Sequence, residues 1–137
     1  MEKKKIQELI RTAMGKLPGA YAPYSHFHVG AALLASDGTV YTGVNVENAS
    51  YGLCNCAERT AIFSAVERGA REFEAICIVG GPNGVIEDYC PPCGACRQVM
   101  SEFCKDDFQI ILAKSEEDYK VYTLGELFPL SFNSENL

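Results

Sequence analysis

Apolar residues recur along the first part of the chain with the period of an α-helix. They recur at positions i, i+3, i+4, i+7 and beyond: Ile6, Leu9, Ile10, Ala13, Met14 and Leu17. This spacing places them on one stripe of an amphipathic helix, which Pro18-Gly19 ends. The stripe indicates packing against a core, and we assign the helix no chemistry.

The rest of the chain alternates between strand-like and helix-like patterns. Apolar runs predict strands over residues 27–35, 40–46, 73–79, 108–113 and 119–122. Helical spacing predicts one helix over residues 56–68 and another that begins at Cys93. Thr123-Leu124-Gly125-Glu126 is a capping box that begins a short last helix, which Pro129 ends. The order α-β-β-α-β-α-β-β-α predicts a mixed sheet with helices on both faces.

Length and charge narrow the class of protein. The 137 residues, 47% of them hydrophobic, suit one α/β domain over residues 1–137 with a substantial core. The net charge is −6 and no basic patch is present, so we expect no nucleic-acid partner. No apolar run approaches the roughly 18 residues that a membrane helix needs, so we expect no membrane partner. Lys3-Lys4-Lys5 is followed by polar residues rather than an apolar segment, so no signal peptide is expected.

The cysteines indicate metal binding rather than a disulfide framework. There are seven, an odd number, at positions 54, 56, 77, 90, 93, 96 and 104. Their clustered spacing is typical of metal ligands plus free thiols in a reducing compartment, so we expect a cytoplasmic protein. Cys77 lies within an apolar run and is expected to be buried.

Two short segments carry candidate metal chemistry. Cys56-Ala57-Glu58 supplies one thiol and a nearby carboxylate, and Cys93-Gly94-Ala95-Cys96 supplies two thiols at the common spacing for one metal. Zinc binds such ligands tetrahedrally, so three thiolates leave a fourth position for water. Glu58 is placed where a base for that water is needed. Both segments lie at predicted helix starts, where the helix dipole stabilises thiolates.

Two neighbouring residues admit more than one interpretation. Arg59 could donate to a thiolate sulfur and offset its negative charge, or it could be an ordinary surface arginine. Cys54, together with Cys56, Cys93 and Cys96, could complete a closed four-cysteine zinc site of purely structural function. Such a site leaves no position for water.

Candidate substrate contacts precede the metal segments. Asn45 and Glu47 end the second predicted strand two residues apart, so they point to one side and could hydrogen-bond a sugar hydroxyl. They could also form a solvated strand end. Phe27 is either a core residue or a flat apolar face for a nucleobase or sugar.

Taken together, these motifs resemble the small zinc-dependent homotetrameric cytidine deaminases. A cysteine, a glutamate two residues later, and a P-C-x-x-C segment form the known pattern of zinc deaminases. The segments that carry the resemblance are Tyr21-Ala22-Pro23-Tyr24-Ser25, Phe27, Val29-Gly30-Ala31-Ala32, Asn45-Val46-Glu47-Asn48, Cys54-Asn55-Cys56-Ala57-Glu58-Arg59-Thr60-Ala61 and Pro92-Cys93-Gly94-Ala95-Cys96-Arg97-Gln98.

The resemblance implies a fold, a reaction and a metal site. The expected fold is a single three-layer α-β-α domain with a five-stranded mixed sheet. The expected enzyme is a hydrolase of pyrimidine salvage that converts cytidine and deoxycytidine to uridine and deoxyuridine and releases ammonia. One Zn²⁺ per chain is bound by Cys56, Cys93 and Cys96, with Glu58 as the catalytic proton carrier and Arg59 supporting the thiolates.

The resemblance also implies how the substrate is bound. Phe27, Asn45, Glu47 and the backbone near Ala57 hold the nucleoside, the Asn/Glu pair chiefly through its 3′-hydroxyl. Ala49, Tyr51 and Phe132 reach the pocket of a neighbouring subunit in a homotetramer. The alternatives are the structural four-cysteine module without catalysis, or a related zinc deaminase that acts on a nucleoside antibiotic, another base or a nucleotide.

Overall fold

The computed structural model describes all of residues 1–137. Its helices and strands are α1 (Lys3–Lys16), β1 (Phe27–Ala35), β2 (Val40–Val44), α2 (Ala57–Glu67), β3 (Phe73–Pro82), α3 (Gly94–Phe103), β4 (Gln109–Ala113), β5 (Tyr119–Thr123) and α4 (Leu124–Leu127). The predicted order of elements is therefore confirmed. None of the helices combines the length and apolar character that crossing a bilayer requires.

The five strands form one mixed sheet in the order β2-β1-β3-β4-β5. β1 pairs antiparallel with both β2 and β3, whereas β3 and β4 are parallel and are connected through α3. β5 adds an antiparallel edge. This arrangement confirms the expected mixed sheet.

Helices cover both faces of the sheet and divide the core in two. α1 buries its apolar stripe on one face, where Leu9 and Ile10 are almost fully buried against β1, β3 and β4 residues. α2 and α3 cover the other face, with Ile62 and Met100 fully buried. Because each such side chain contributes about 1.5–3 kcal/mol when buried, the two cores together hold the helices in place. The expected three layers α-β-α are confirmed.

Several predicted boundaries were wrong by a few residues. β2 ends at Val44 rather than at residue 46, because Val46 leaves the β1 edge and pairs singly with Tyr21 and Asn55. β3 runs on to Pro82, since its last residues pair with the start of β1. Cys56 and Cys93 are the N-caps of α2 and α3 rather than residues within them. The later start of α2 and α3 places Cys56 and Cys93 just before the first turns of these helices.

A glycine allows α2 to lie unusually close to the sheet. A Cβ atom on Gly43 of β2 would lie 2.3 Å from the carbonyl oxygen of Ala57 and 2.5 Å from the amide nitrogen of Ala61. Both distances are too short for any side chain. The glycine thus fixes the depth of the first turn of α2, which is the turn that carries Glu58.

Candidate active site and metal centre

Three thiol groups meet where the N-termini of α2 and α3 converge. The Sγ atom of Cys93 lies 3.7 Å from that of Cys56 and 3.6 Å from that of Cys96, and all three lie within 4.8 Å of one another. Tetrahedral zinc with Zn–S distances of about 2.3 Å places its sulfurs about 3.8 Å apart. The three thiols therefore fit three corners of one zinc tetrahedron and leave the fourth corner open.

The surroundings of Cys56 favour its thiolate form. The thiol of Cys96 hydrogen-bonds to Cys56 and is the main cause that lowers the pKa of Cys56 to about 5, and Arg59 also lowers it. Nη2 of Arg59 donates to the Cys56 sulfur at 3.3 Å. The position of Cys56 at a helix N-terminus acts in the same direction. Arg59 is thus placed on a metal-binding sulfur rather than on open surface.

Cys54 does not join this group. Its Sγ atom accepts a hydrogen bond from the amide of Asn48 at 3.3 Å and lies 3.6 Å from the Asn48 carbonyl oxygen. The group of candidate ligands consists of Cys56, Cys93 and Cys96. The closed four-cysteine site is not formed, and that interpretation was wrong.

Glu58 is the one charged residue buried in the protein, with 4% of its surface exposed. It lies in the first turn of α2, two residues after Cys56. Burial disfavours the carboxylate and raises the pKa of Glu58 to about 7. A carboxyl group in this range can both accept and release a proton near neutral pH.

A cavity of about 340 Å³ opens above the thiols and Glu58. Its volume is within the usual range for small-molecule sites. Two other depressions, of about 400 and 450 Å³ near the C-terminal end of α3, contain neither the three thiols nor Glu58. The residues that line the cavity are Ser25, Phe27, Val29, Asn45, Glu47, Cys54, Asn55, Cys56, Glu58, Arg59, Cys90, Pro91 and Cys93.

Phe27 belongs to the wall of this cavity. It begins β1, is 39% exposed and faces the same space as Glu58. The alternative of a core residue was wrong, because the first three residues of β1 are exposed or half-buried while the rest of the strand is buried. An exposed aromatic ring beside a cavity offers a flat surface to a planar ligand.

Asn45 and Glu47 also line the cavity, but they follow β2 instead of ending it. The Asn45 amide accepts from the Val29 amide at 2.9 Å and donates to the Phe27 carbonyl at 2.7 Å. Glu47 accepts from the backbone amides of Tyr24 and Ser25 at 3.0 and 3.2 Å and from the Ser25 hydroxyl, and this hydroxyl lowers the pKa of Glu47. These bonds hold both side chains in place without a bound ligand. Asn45 and Glu47 are therefore not a freely solvated strand end.

The remaining predicted site residues lie outside the cavity of their own chain. Ala57, the first residue of α2, is fully buried, and Ala49 is exposed. Tyr51 and Phe132 are 72% and 62% exposed. Sequence reasoning missed several lining residues, among them Val29, Asn55, Cys90 and Pro91. Of these, Cys90 and Pro91 could have been suspected from their closeness in sequence to Cys93.

Comparisons with known proteins agree with this geometry. The family model described as the cytidine and deoxycytidylate deaminase zinc-binding region matches residues 3–112. A cytidine deaminase from Halalkalibacterium halodurans is 49% identical over 131 residues, which cover 96% of each chain. One from Sporosarcina psychrophila is 45% identical over 132 residues, covering 96% of this chain and 94% of the relative.

A solved structure shows the same fold. The crystal structure of cytidine deaminase from Burkholderia pseudomallei superposes with a TM-score of 0.84 at 51% identity, covering 91% of this chain and 97% of that one. The family match over residues 3–112 includes Cys56–Glu58, Cys93–Cys96, the helices α2 and α3 that follow these segments, and β3 between them. The chain therefore belongs to the cytidine and deoxycytidylate deaminase family and has the zinc-binding region of that family.

Proposed function

We propose that the protein is a zinc-dependent hydrolase that deaminates cytidine and deoxycytidine to uridine and deoxyuridine and releases ammonia. One observation carries the proposal. One cavity is lined by the buried carboxyl group of Glu58, by Cys56 and Cys93 of the three-thiol group, by the Phe27 ring and by the amide/carboxylate pair of Asn45 and Glu47. A nucleoside has the matching groups, a reactive base and a hydroxylated sugar. The names of the relatives support the same substrate.

The metal and Glu58 divide the chemistry between them. Cys56, Cys93 and Cys96 would hold a zinc ion, which would supply Lewis acidity and lower the pKa of a nearby water toward neutrality. Glu58 accepts a proton from the attacking water while a C–O bond forms at C4 of the pyrimidine. Glu58 passes that proton to ring N3, then accepts the remaining proton from the new hydroxyl on C4 and delivers it to the exocyclic amine, so that the C4–N bond breaks and ammonia leaves. The overall reaction consumes one water and yields one keto product and one ammonia.

Other residues at the cavity orient the substrate. The Phe27 ring packs on the nucleoside, the backbone near Ala57 contacts the base, and Asn45 with Glu47 hydrogen-bonds the 3′-hydroxyl. Neither polar residue requires a 2′-hydroxyl, so we propose that both ribosides and deoxyribosides react. Such a reaction belongs to pyrimidine salvage. All seven cysteines are free, which supports a reducing compartment, and we place the protein in the cytoplasm.

A panel of substrates tests this proposal. Purified protein should release ammonia from cytidine and deoxycytidine. Cytidine monophosphate and single-stranded DNA should react poorly, because Arg59, which already binds a thiolate, is the one cationic side chain lining the cavity, and the net charge is −6. Faster release from the monophosphate than from cytidine would contradict the proposed nucleoside specificity.

We further propose a homotetramer in which neighbouring chains complete each cavity. Tyr51 lies beside Tyr24 with 5.8 Å between ring centroids and a tilt of 56°, and both rings are exposed next to Ser25, Glu47 and Cys54 of the cavity wall. Phe132 is exposed on a tail that Gln98 of α3 holds through the Phe132 carbonyl at 2.9 Å. Large exposed aromatic residues of this kind mark protein–protein contacts. Ala49, Tyr51 and Phe132 are therefore proposed to reach a partner's cavity.

Removing residues 130–137 tests the shared cavity. We expect the shortened protein to lose activity toward cytidine but to retain one zinc per chain, because no metal ligand lies in the tail. Light scattering should show a tetramer for the full chain. A full-length protein that is monomeric and fully active would contradict the shared-cavity proposal.

A further inference from the structure

The wall of the cavity next to the metal is an irregular loop between β3 and α3. This loop carries Cys90 and Pro91, which line the cavity, and it ends on Cys93. Its first part is held by backbone hydrogen bonds, including one from the Asn83 amide to the His26 carbonyl at 2.6 Å. Residues 86–92 make no backbone–backbone hydrogen bond. This part of the active-site wall therefore depends on side chains for its position.

Tyr89 provides one such side-chain attachment. Its hydroxyl donates to the carboxylate of Asp118, in the turn between β4 and β5. The ammonium groups of Lys120 and Lys114 lie 4.7 and 5.4 Å from the centroid of the Tyr89 ring, within the range of cation–π attraction. Two residues of this turn, Lys114 and Asp118, and Lys120 at the start of β5 thus hold the side chain that immediately precedes Cys90.

The turn itself is rigidly built. The Lys114 amide donates to the Asp118 carbonyl at 2.8 Å, and the Asp118 amide donates to the Ser115 hydroxyl at 3.0 Å. Arg11 of α1 pairs with Glu116 at 2.5 Å and connects the turn to the helix on the far face of the sheet. Asp118 is therefore a fixed acceptor rather than a mobile surface carboxylate.

A second attachment holds the other end of the loop. The guanidinium of Arg97 in α3 donates to the Pro92 carbonyl at 2.8 Å and to the Leu127 carbonyl at 2.6 Å. Arg97 fixes the residue that precedes the metal ligand Cys93. Only Cys90 and Pro91 lie between the Tyr89 and Arg97 attachments, and both face the cavity.

We propose that Tyr89 is a positioning residue for substrate binding, an inference that rests on the proposed deamination. Tyr89 does not line the cavity, and its side chain packs against the core on the α2/α3 face of the sheet. It acts by holding Cys90 and Pro91 in place as the wall. Glu58 and the thiols lie on α2 and α3, and Arg97 secures the Cys93 end independently. Loss of the Tyr89 attachment should therefore weaken substrate binding while leaving the chemical step and the zinc unchanged.

The variant Tyr89→Phe tests this inference in the full-length, zinc-loaded protein, because it removes only the hydroxyl. We expect KM for cytidine to rise about three- to tenfold, the usual effect of one lost hydrogen bond, with kcat changed less than about twofold. Asp118→Ala should have a similar effect, and the double variant should add little, since both changes break the same bond. Tyr41→Phe is the matched control, because Tyr41 is a half-buried tyrosine of β2 whose hydroxyl makes no hydrogen bond in the protein.

A second readout does not depend on activity. Hydrogen exchange followed by mass spectrometry should show faster exchange in Tyr89→Phe that is confined to peptides covering residues 86–92, and no change in Tyr41→Phe. An unchanged KM, or a lower melting temperature with unchanged KM, would overturn the positioning role. A wild-type protein without activity on cytidine would overturn the proposed function instead, and the exchange experiment would still decide whether Tyr89 holds the loop.

Discussion

Replacing Cys93 by alanine should strip zinc from the protein and abolish turnover. Cys93 is the middle member of the three-thiol group, 3.7 Å from the Cys56 sulfur and 3.6 Å from the Cys96 sulfur. Changes to residues that merely support metal ligands cost about 10–100-fold in metal affinity, so the loss of a ligand should cost more than about 100-fold. Elemental analysis of the purified variant should find almost no zinc, against one per chain in the wild type.

Cys54→Ser is the matched control for this experiment. Cys54 also lines the cavity and lies two residues from Cys56, but its sulfur is bonded to the backbone of Asn48. Serine can accept the same hydrogen bond, so this variant should keep its zinc and most of its activity. If Cys54→Ser lost the metal while Cys93→Ala retained it, the assignment of ligands would be wrong.

The fold was predictable from the sequence wherever local spacing decides the structure. The stripe on α1 and the capping box at Thr123 and Glu126 are properties of contiguous residues, and both form as expected. The end of β2 was not predictable in this way, because Val46 pairs with the distant Tyr21 and with Asn55. The extension of β3 to Pro82 could not be predicted either, because it also depends on pairing with a distant segment. Its Gly-Gly-Pro ending is typical of a loop, yet it pairs with the first residues of β1.

The candidate site was predictable to a similar degree. Cys93 and Cys96 have the spacing of two ligands on one metal. Glu58 lies only two residues after Cys56, which predicts that the carboxyl group and the thiol belong to one site. No spacing rule brings Phe27 or the Asn45/Glu47 pair to the metal, and these came from family resemblance. The role of Tyr89 could not be found, since its partner Asp118 is 29 residues away and only the β4–β5 turn brings them together.

Glu58→Gln should produce the largest loss of catalysis that leaves the metal in place. Glutamine has nearly the same size as glutamate, but it cannot accept a proton from water and pass it on. A positioned acid or base is usually worth about 10²–10⁴ in rate, and Glu58 serves several proton transfers in one cycle. We therefore expect kcat for cytidine to fall at least about 100-fold.

The same change should not damage the folded protein. Glu58 is not one of the three thiol ligands, so zinc content should stay near one per chain. A carboxyl group with 4% of its surface exposed pays a desolvation cost whenever it is charged. Replacing it by a neutral amide removes that cost, and the melting temperature should be equal to or above that of the wild type.

The most direct test is ammonia release from cytidine by wild-type and Glu58→Gln proteins matched in zinc content. The wild type should produce ammonia and uridine in equal amounts, and the variant should do so at least about 100-fold more slowly. Equal rates for the two zinc-loaded proteins would contradict the role of Glu58 as the proton carrier.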